Sequence, residues 1–147
     1  MGNALVRSGV PRKEVFLTTK VWVEHYGYEE ARRSVLESMD KPRTDYLDLV
    51  LLHQPFSDYY GAYRALEDLY DEGKLRAIGV SNFYPDRLVD IASFSRVKPM
   101  VNQVETHPFH QQAEAKQWMD KYDVQMEAWA PFGEGRGGLF ENPVLAE

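Results

Sequence analysis

The stretch YLDLVLLHQP, residues 46–55, decides how the rest of the chain is read. Tyr46 to Leu52 is apolar apart from Asp48, and a run of this length bounded by turn residues reads as a buried strand. Upstream, Tyr28–Asp40 has helical spacing, with Ala31, Val35, Leu36 and Met39 on one side and Glu29, Glu30, Arg32, Arg33 and Glu37 largely elsewhere. Lys41-Pro42 closes that helix. Further upstream, VFLTTKVW (15–22) reads as another buried strand. Downstream, a helix over about Tyr60–Asp71 stops at Gly73, a residue suited to a left-handed cap. LRAIGV (75–80) is the next strand and Pro85–Phe94 the next helix, with Leu88, Ile91 and Ala92 facing inward. A short strand at Met100–Val104, a helix over about Gln112–Lys121 and a strand at Val124–Trp129 follow. The closing stretch, GEGRGGLFENPVLAE, is a glycine-rich loop with the start of one more helix.

Strands alternating with helices of ten or more residues imply right-handed βαβ crossovers and a parallel sheet. Periodicity alone leaves a doubly wound sheet and part of a (β/α)8 barrel both open. Five βα units in 147 residues average roughly 28 residues each, whereas a complete barrel takes about 220–250. If the chain belongs to a barrel, it is an arc of one.

Composition narrows the function. The hydrophobic share of 44% and charged share of 27% are those of an ordinary soluble domain. A net charge of −6 argues against nucleic acid and anionic membranes as partners. There is no cysteine, which excludes disulfides, thiolate nucleophiles and cysteine metal sites. The apolar runs are too short to span a bilayer, and MGNALVRSGVPRKE is not a secretory signal. A cytoplasmic setting is expected.

Parallel α/β folds place their ligands at the carboxyl ends of the strands. Those ends read Lys20-Val21-Trp22, His53-Gln54-Pro55, Ser81-Asn82-Phe83, Gln103-Val104-Glu105 and Trp129-Ala130-Pro131. Singly, each has an ordinary explanation. A strand-end lysine is usually a solvated terminus, a lone histidine a bonded sheet-edge residue, and a lone tryptophan a core aromatic. Ser81-Asn82 could be turn chemistry, although Pro85 at the first helical position leaves Tyr84 as a poor cap and Asn82 under-explained.

Together, VFLTTKVW, LDLVLLHQP, GKLRAIGVSNF, VNQVETHPFHQQ and AWAPFGEG resemble, in order and spacing, the middle of an aldo-keto reductase. The resemblance covers nearly all of the chain, and GKLRAIGVSNF (73–83) and LDLVLLHQP (47–55) are its most specific parts. It implies a partial (β/α)8 TIM barrel, with residues 1–147 forming one domain truncated at both ends. It also implies reduction of aldehydes or ketones to alcohols with NADPH or NADH, and no metal. Lys20 resembles the catalytic lysine, and His53 the histidine that orients the substrate carbonyl. Ser81, Asn82 and Gln103 resemble the set that holds the nicotinamide carboxamide, and Trp129 stands where a stacking tyrosine is common. Trp22 would line the substrate pocket, and Gly133 to Arg136 would run beside the pyrophosphate. Gln54 stands where the family commonly has a tryptophan after the histidine, a change expected to widen or polarise the pocket. Asp45 and Asp48 read as structural.

The family's proton-donating tyrosine and its aspartate lie just before the helix that here begins at Met1-Gly2-Asn3-Ala4-Leu5, and the tyrosines present do not occupy the donor's place. The residues that grip the adenosine 2′-phosphate would follow the end of the sequence. Impaired catalysis is therefore expected of this chain alone. The alternative is a non-catalytic fragment or half-barrel that associates with another chain, or with itself, through open sheet edges. Two rivals are weaker. His107-Pro-Phe-His110 breaks helical geometry and lacks a third metal ligand. Glu105 and Glu127 could act as a glycosidase pair only if they faced one pocket.

Overall fold

β-Branched and apolar residues dominate the segments that become strands, and helical periodicity resumes after each. The computed structural model describes residues 7–145. β1 (Thr18–Val21) leads to α1 (Tyr28–Asp40), β2 (Leu49–Leu52) to α2 (Tyr59–Asp71) and β3 (Ile78–Ser81) to α3 (Pro85–Phe94). β4 (Val101–Glu105) leads to α4 (Ala113–Tyr122), and β5 (Gln125–Trp129) follows. The helix expected to begin at Met1 falls on residues 1–6, outside the described residues. The helix expected to start in the closing stretch is instead a set of short 3₁₀ turns. Gly133, Gly135, Gly137 and Gly138 all take positive φ there, which interrupts α-helical winding.

All strand pairings are parallel, and the order in the sheet is β1-β2-β3-β4-β5. That order removes the alternative left open by periodicity. A doubly wound sheet reverses direction at a switch point. Here each new strand joins the same edge, so right-handed crossovers put every connecting helix on one face. The arrangement is an arc of a barrel.

Alternation divides the strand residues between two environments. Val21, Val50, Leu52, Ile78, Val80 and Val104 face the helices and share one buried cluster with Ala31, Val35, Leu66, Leu88, Ile91 and Met119. The intervening residues, Lys20, Leu51, Gly79, Gln103 and Glu127 among them, point to the concave face. At Gly79 an added Cβ would stand 2.3 Å from the Val101 carbonyl oxygen and 2.8 Å from Leu51 Cδ2. Only glycine lets Leu51 lie across β3 while β4 keeps its register.

The amino-terminal rim is pinned by Asp48, whose side chain is 4% exposed. Its Oδ2 accepts from Leu17 N at 2.9 Å and from Arg12 at 2.7 Å, and its Oδ1 accepts from Arg76 at 3.2 Å. Both guanidinium groups also lie 3.9 Å from the Tyr46 ring centre. Asp48 is thus structural, as its sequence position suggested. Burial works against its charge, but the Leu17 N–H and Arg12 outweigh it, with help from Arg76, and hold the carboxyl below its ordinary value of 3.8.

A group with a depressed native pKa stabilises the fold above its unfolded value, and that contribution is lost as pH falls through the native value. Asp48→Ala should lower stability at pH 7 by about 1–3 kcal/mol, since it strands a buried N–H and two partly exposed cations. Urea unfolding from pH 7 down to pH 3 checks this. The variant's stability should fall less steeply with acid, and coincident curves for both proteins would contradict the assignment.

Candidate active site

The carboxyl ends of the five strands bring most of the sequence-predicted residues onto the concave face. Lys20 Nζ donates to Oε1 of Gln103, and Gln103 Nε2 donates to Oε1 of Glu127. Lys20 is on β1, Gln103 on β4 and Glu127 on β5. Parallel neighbours are spaced about 4.8 Å apart, so β1 and β4 are separated by roughly 14 Å along the sheet. Two side chains close that gap because the sheet curves. Burial lowers the Lys20 pKa from its ordinary 10.5, and Glu127 opposes the shift.

His53 follows β2 and tilts against Trp22, with ring centres 4.6 Å apart. Its Nδ1 is buried with no hydrogen-bond partner among the described residues. Burial, and then the Lys20 cation, lower the His53 pKa below 6.5. The ring is therefore neutral at pH 7. A buried N–H without an acceptor is costly, which assigns the single proton to Nε2.

Asn82 ties three strand ends together. Its φ of 61° is in the left-handed region, which asparagine tolerates better than most residues. Nδ2 donates to the His53 carbonyl and to Ser81 Oγ, each at 3.2 Å. Oδ1 accepts from Trp129 Nε1 at 2.9 Å, fixing the half-buried indole. Ser81 Oγ in turn donates to the Gln103 carbonyl at 3.0 Å. This bonding explains Asn82 better than helix capping does: Tyr84 is the N-cap of α3 without a side-chain bond, and Pro85 starts the helix.

Gly133 and Arg136 lie in a neighbouring shallow cleft, with Glu105 and His107. Arg136 pairs with Glu134 at 3.0 Å and is mostly exposed. Glu105 pairs with His107 at 3.3 Å, so the two rival carboxylates have different partners. Among the described residues no cluster of three or more metal-binding side chains occurs. A concavity of about 650 Å³ lies at the opposite end of the strands around Arg12, Tyr46 and Arg76. Five strands leave the carboxyl ends an open face.

Sequence reasoning missed two contributors. Glu127 was weighed only as a glycosidase acid, although its position two residues before Trp129 places both on one strand face. Tyr26 closes the site's edge, donating to the Gln54 carbonyl at 2.7 Å and accepting from Gln54 N at 3.0 Å. Burial pushes its pKa up to about 12. No tyrosine hydroxyl among the described residues bonds Lys20 or His53.

A family model, the aldo/keto reductase family, matches residues 1–141. The chain belongs to that family. It is 44% identical to glyoxal reductase of Bacillus subtilis over all of this chain and 53% of the relative. It is 41% identical to a 9,11-endoperoxide prostaglandin H2 reductase of Trypanosoma cruzi, again over all of this chain and 53% of the relative. Among solved structures, an aldo/keto reductase from Brucella melitensis superposes with a TM-score of 0.92 at 39% identity, over 99% of this chain and 56% of that one. A Bombyx mori aldo-keto reductase in complex with NADP gives 0.82 at 30% identity, over 89% of this chain and 46% of that one. The chain spans about half the length of the curated relatives it matches.

The electrostatic coupling between the two site bases is measurable by nitrogen-detected NMR. Lys20→Met should raise the His53 pKa but leave it below 6.5, because burial is the larger cause. An unchanged His53 titration would show that the two side chains do not share a site.

Proposed function

We propose that this face is part of the active site of an NADPH- or NADH-dependent reductase that converts small aldehydes or ketones to alcohols. The observation that carries the proposal is the convergence of Lys20, His53, Asn82, Gln103 and Trp129 from five successive strand ends. NADP-bound relatives and the family match support it.

The polar set suits a nicotinamide carboxamide. An amide side chain has two N–H donors and two acceptor lone pairs. Gln103 spends one donor on Glu127 and one lone pair on Lys20, which leaves one of each. Those match the acceptor oxygen and donor NH₂ of a primary carboxamide. Ser81 and Asn82 use most of their capacity on each other and on Trp129, and keep lone pairs only. Trp129, held by its N–H, offers a flat surface for the ring. The cofactor would supply the hydride. Gly133 and Arg136 would lie along the pyrophosphate, and Trp22 would form a wall for the substrate.

Hydride addition builds negative charge on the carbonyl oxygen, so nearby donors and cations lower the barrier. His53 Nε2–H orients that oxygen, and the Lys20 ammonium places positive charge beside it. The proton itself is not supplied by Tyr26: its hydroxyl is committed to Gln54, and burial raises its pKa rather than lowering it. We place the donor outside the described residues, and so expect the 147-residue chain to be a weak catalyst by itself.

NADPH oxidation with glyoxal and with a nitrobenzaldehyde tests this. The chain alone should turn over negligibly, and a version completed with a relative's remaining barrel units should be active. Losing a general acid commonly removes about 10²–10⁴ in rate. Lys20→Met or His53→Ala should lower the completed version's rate. Robust turnover by the short chain, abolished by Lys20→Met, would mean the proton comes from a group within it.

A second reading rests on the sheet edges. Among the described residues β1 and β5 each have a neighbour on one side only, and such edges pair readily with another chain. If the chain works as a half-barrel, light scattering should show association that grows with concentration. A monomer over a wide concentration range would contradict that reading.

A further inference from the structure

Glu127 is an inward-facing charged residue for which the proposed reaction has no role. It lies on β5 in direct register with Gln103 of β4, two residues before Trp129. Its geometry is distinctive in one respect. Its carboxylate accepts from Gln103 Nε2 and, among the described residues, enters no ion pair with a surface arginine or lysine. The other end of the same amide accepts from the Lys20 ammonium.

An unconstrained glutamine can present its amide either way round, because its two ends are nearly the same shape. Here the ends face opposite charges. Turning the amide over would set its oxygen against the Glu127 carboxylate and its NH₂ against the Lys20 ammonium. Both charge-assisted bonds would become repulsions. Lys20 and Glu127 therefore fix one orientation, which leaves one N–H and one lone pair of Gln103 for a ligand.

We propose that Glu127 is a positioning residue for cofactor recognition: it locks the Gln103 amide in the orientation that reads a nicotinamide carboxamide. This inference rests on the cofactor reading above. It also gives Lys20 a countercharge through the same amide. The charged and titratable groups facing Lys20 are Glu127 from β5, whose charge raises the Lys20 pKa, and His53 from the end of β2, whose own pKa the Lys20 cation lowers.

The test has two arms. In the 147-residue chain, NMR follows the Gln103 side-chain amide and the Lys20 ε-methylene across pH. Glu127→Gln should lower the Lys20 pKa and shift the Gln103 amide resonances, while the backbone spectrum away from β4 and β5 stays unchanged. If neither signal moves, the lock does not exist. In the barrel-completed version, NADPH affinity is measured by fluorescence for Glu127→Gln, Gln103→Ala and the double variant. Glu127→Gln should weaken binding by about tenfold, the effect of losing one well-oriented hydrogen bond. In the Gln103→Ala background it should add nothing. Equal losses in both backgrounds would overturn the proposal, because Glu127 would then act by another route. Absence of NADPH binding by the unaltered completed version, with the NMR coupling intact, would instead overturn the cofactor reading and, with it, the role assigned to the lock.

Discussion

One contact across the concave face depends on everything else being in place: the Lys20–Gln103–Glu127 chain of side chains. Its first and second members sit three strands apart. A flat sheet would hold them out of reach, so the contact reports the curvature of the arc. It also couples the electrostatics of the site, since Lys20 lowers the His53 pKa and Glu127 acts on Lys20. The lysine is thus neither a solvated strand end nor an isolated buried cation.

That curvature is set on the other face. The branched and aliphatic residues of β1 to β4 pack with α1 to α4 in a single buried cluster. Gly79 permits close approach of β4, with Leu51 laid across it. At the amino-terminal rim, Asp48 joins Leu17 to the arginines at positions 12 and 76. Stability is therefore concentrated at one end of the strands and in the helix layer. The carboxyl ends are left to polar side chains that bond one another across the strands. Asn82 shows how the two ends differ: it accepts a left-handed backbone and spends its amide on holding three strand ends together.

Much of this was legible in the sequence because it follows from periodicity. The α-helices Tyr28–Asp40 and Pro85–Phe94 have the bounds that their spacing and proline signals predicted, and all the strands but β4 are shorter than their apolar runs. Strand order was not legible, since one chain of alternating elements suits both a barrel arc and a doubly wound sheet. The closing stretch forms 3₁₀ turns rather than the start of a helix because four of its glycines take positive φ, which hydrophobic pattern does not reveal. At the site, residue types at strand ends identified the candidates, and the family resemblance gave them roles. Partnerships were hidden. Glu127 bonds a residue 24 positions away, and Trp129 one 47 positions away. Such pairs follow from register and curvature, which local pattern does not carry.

The central claim is where the nicotinamide ring rests. Intermolecular NOEs between NADPH and the barrel-completed protein measure that directly. Contacts from the nicotinamide protons to the Trp129 indole and the Gln103 amide are expected, with His53 close by. Contacts confined to the opposite rim, around Arg12, Tyr46 and Arg76, would contradict the placement.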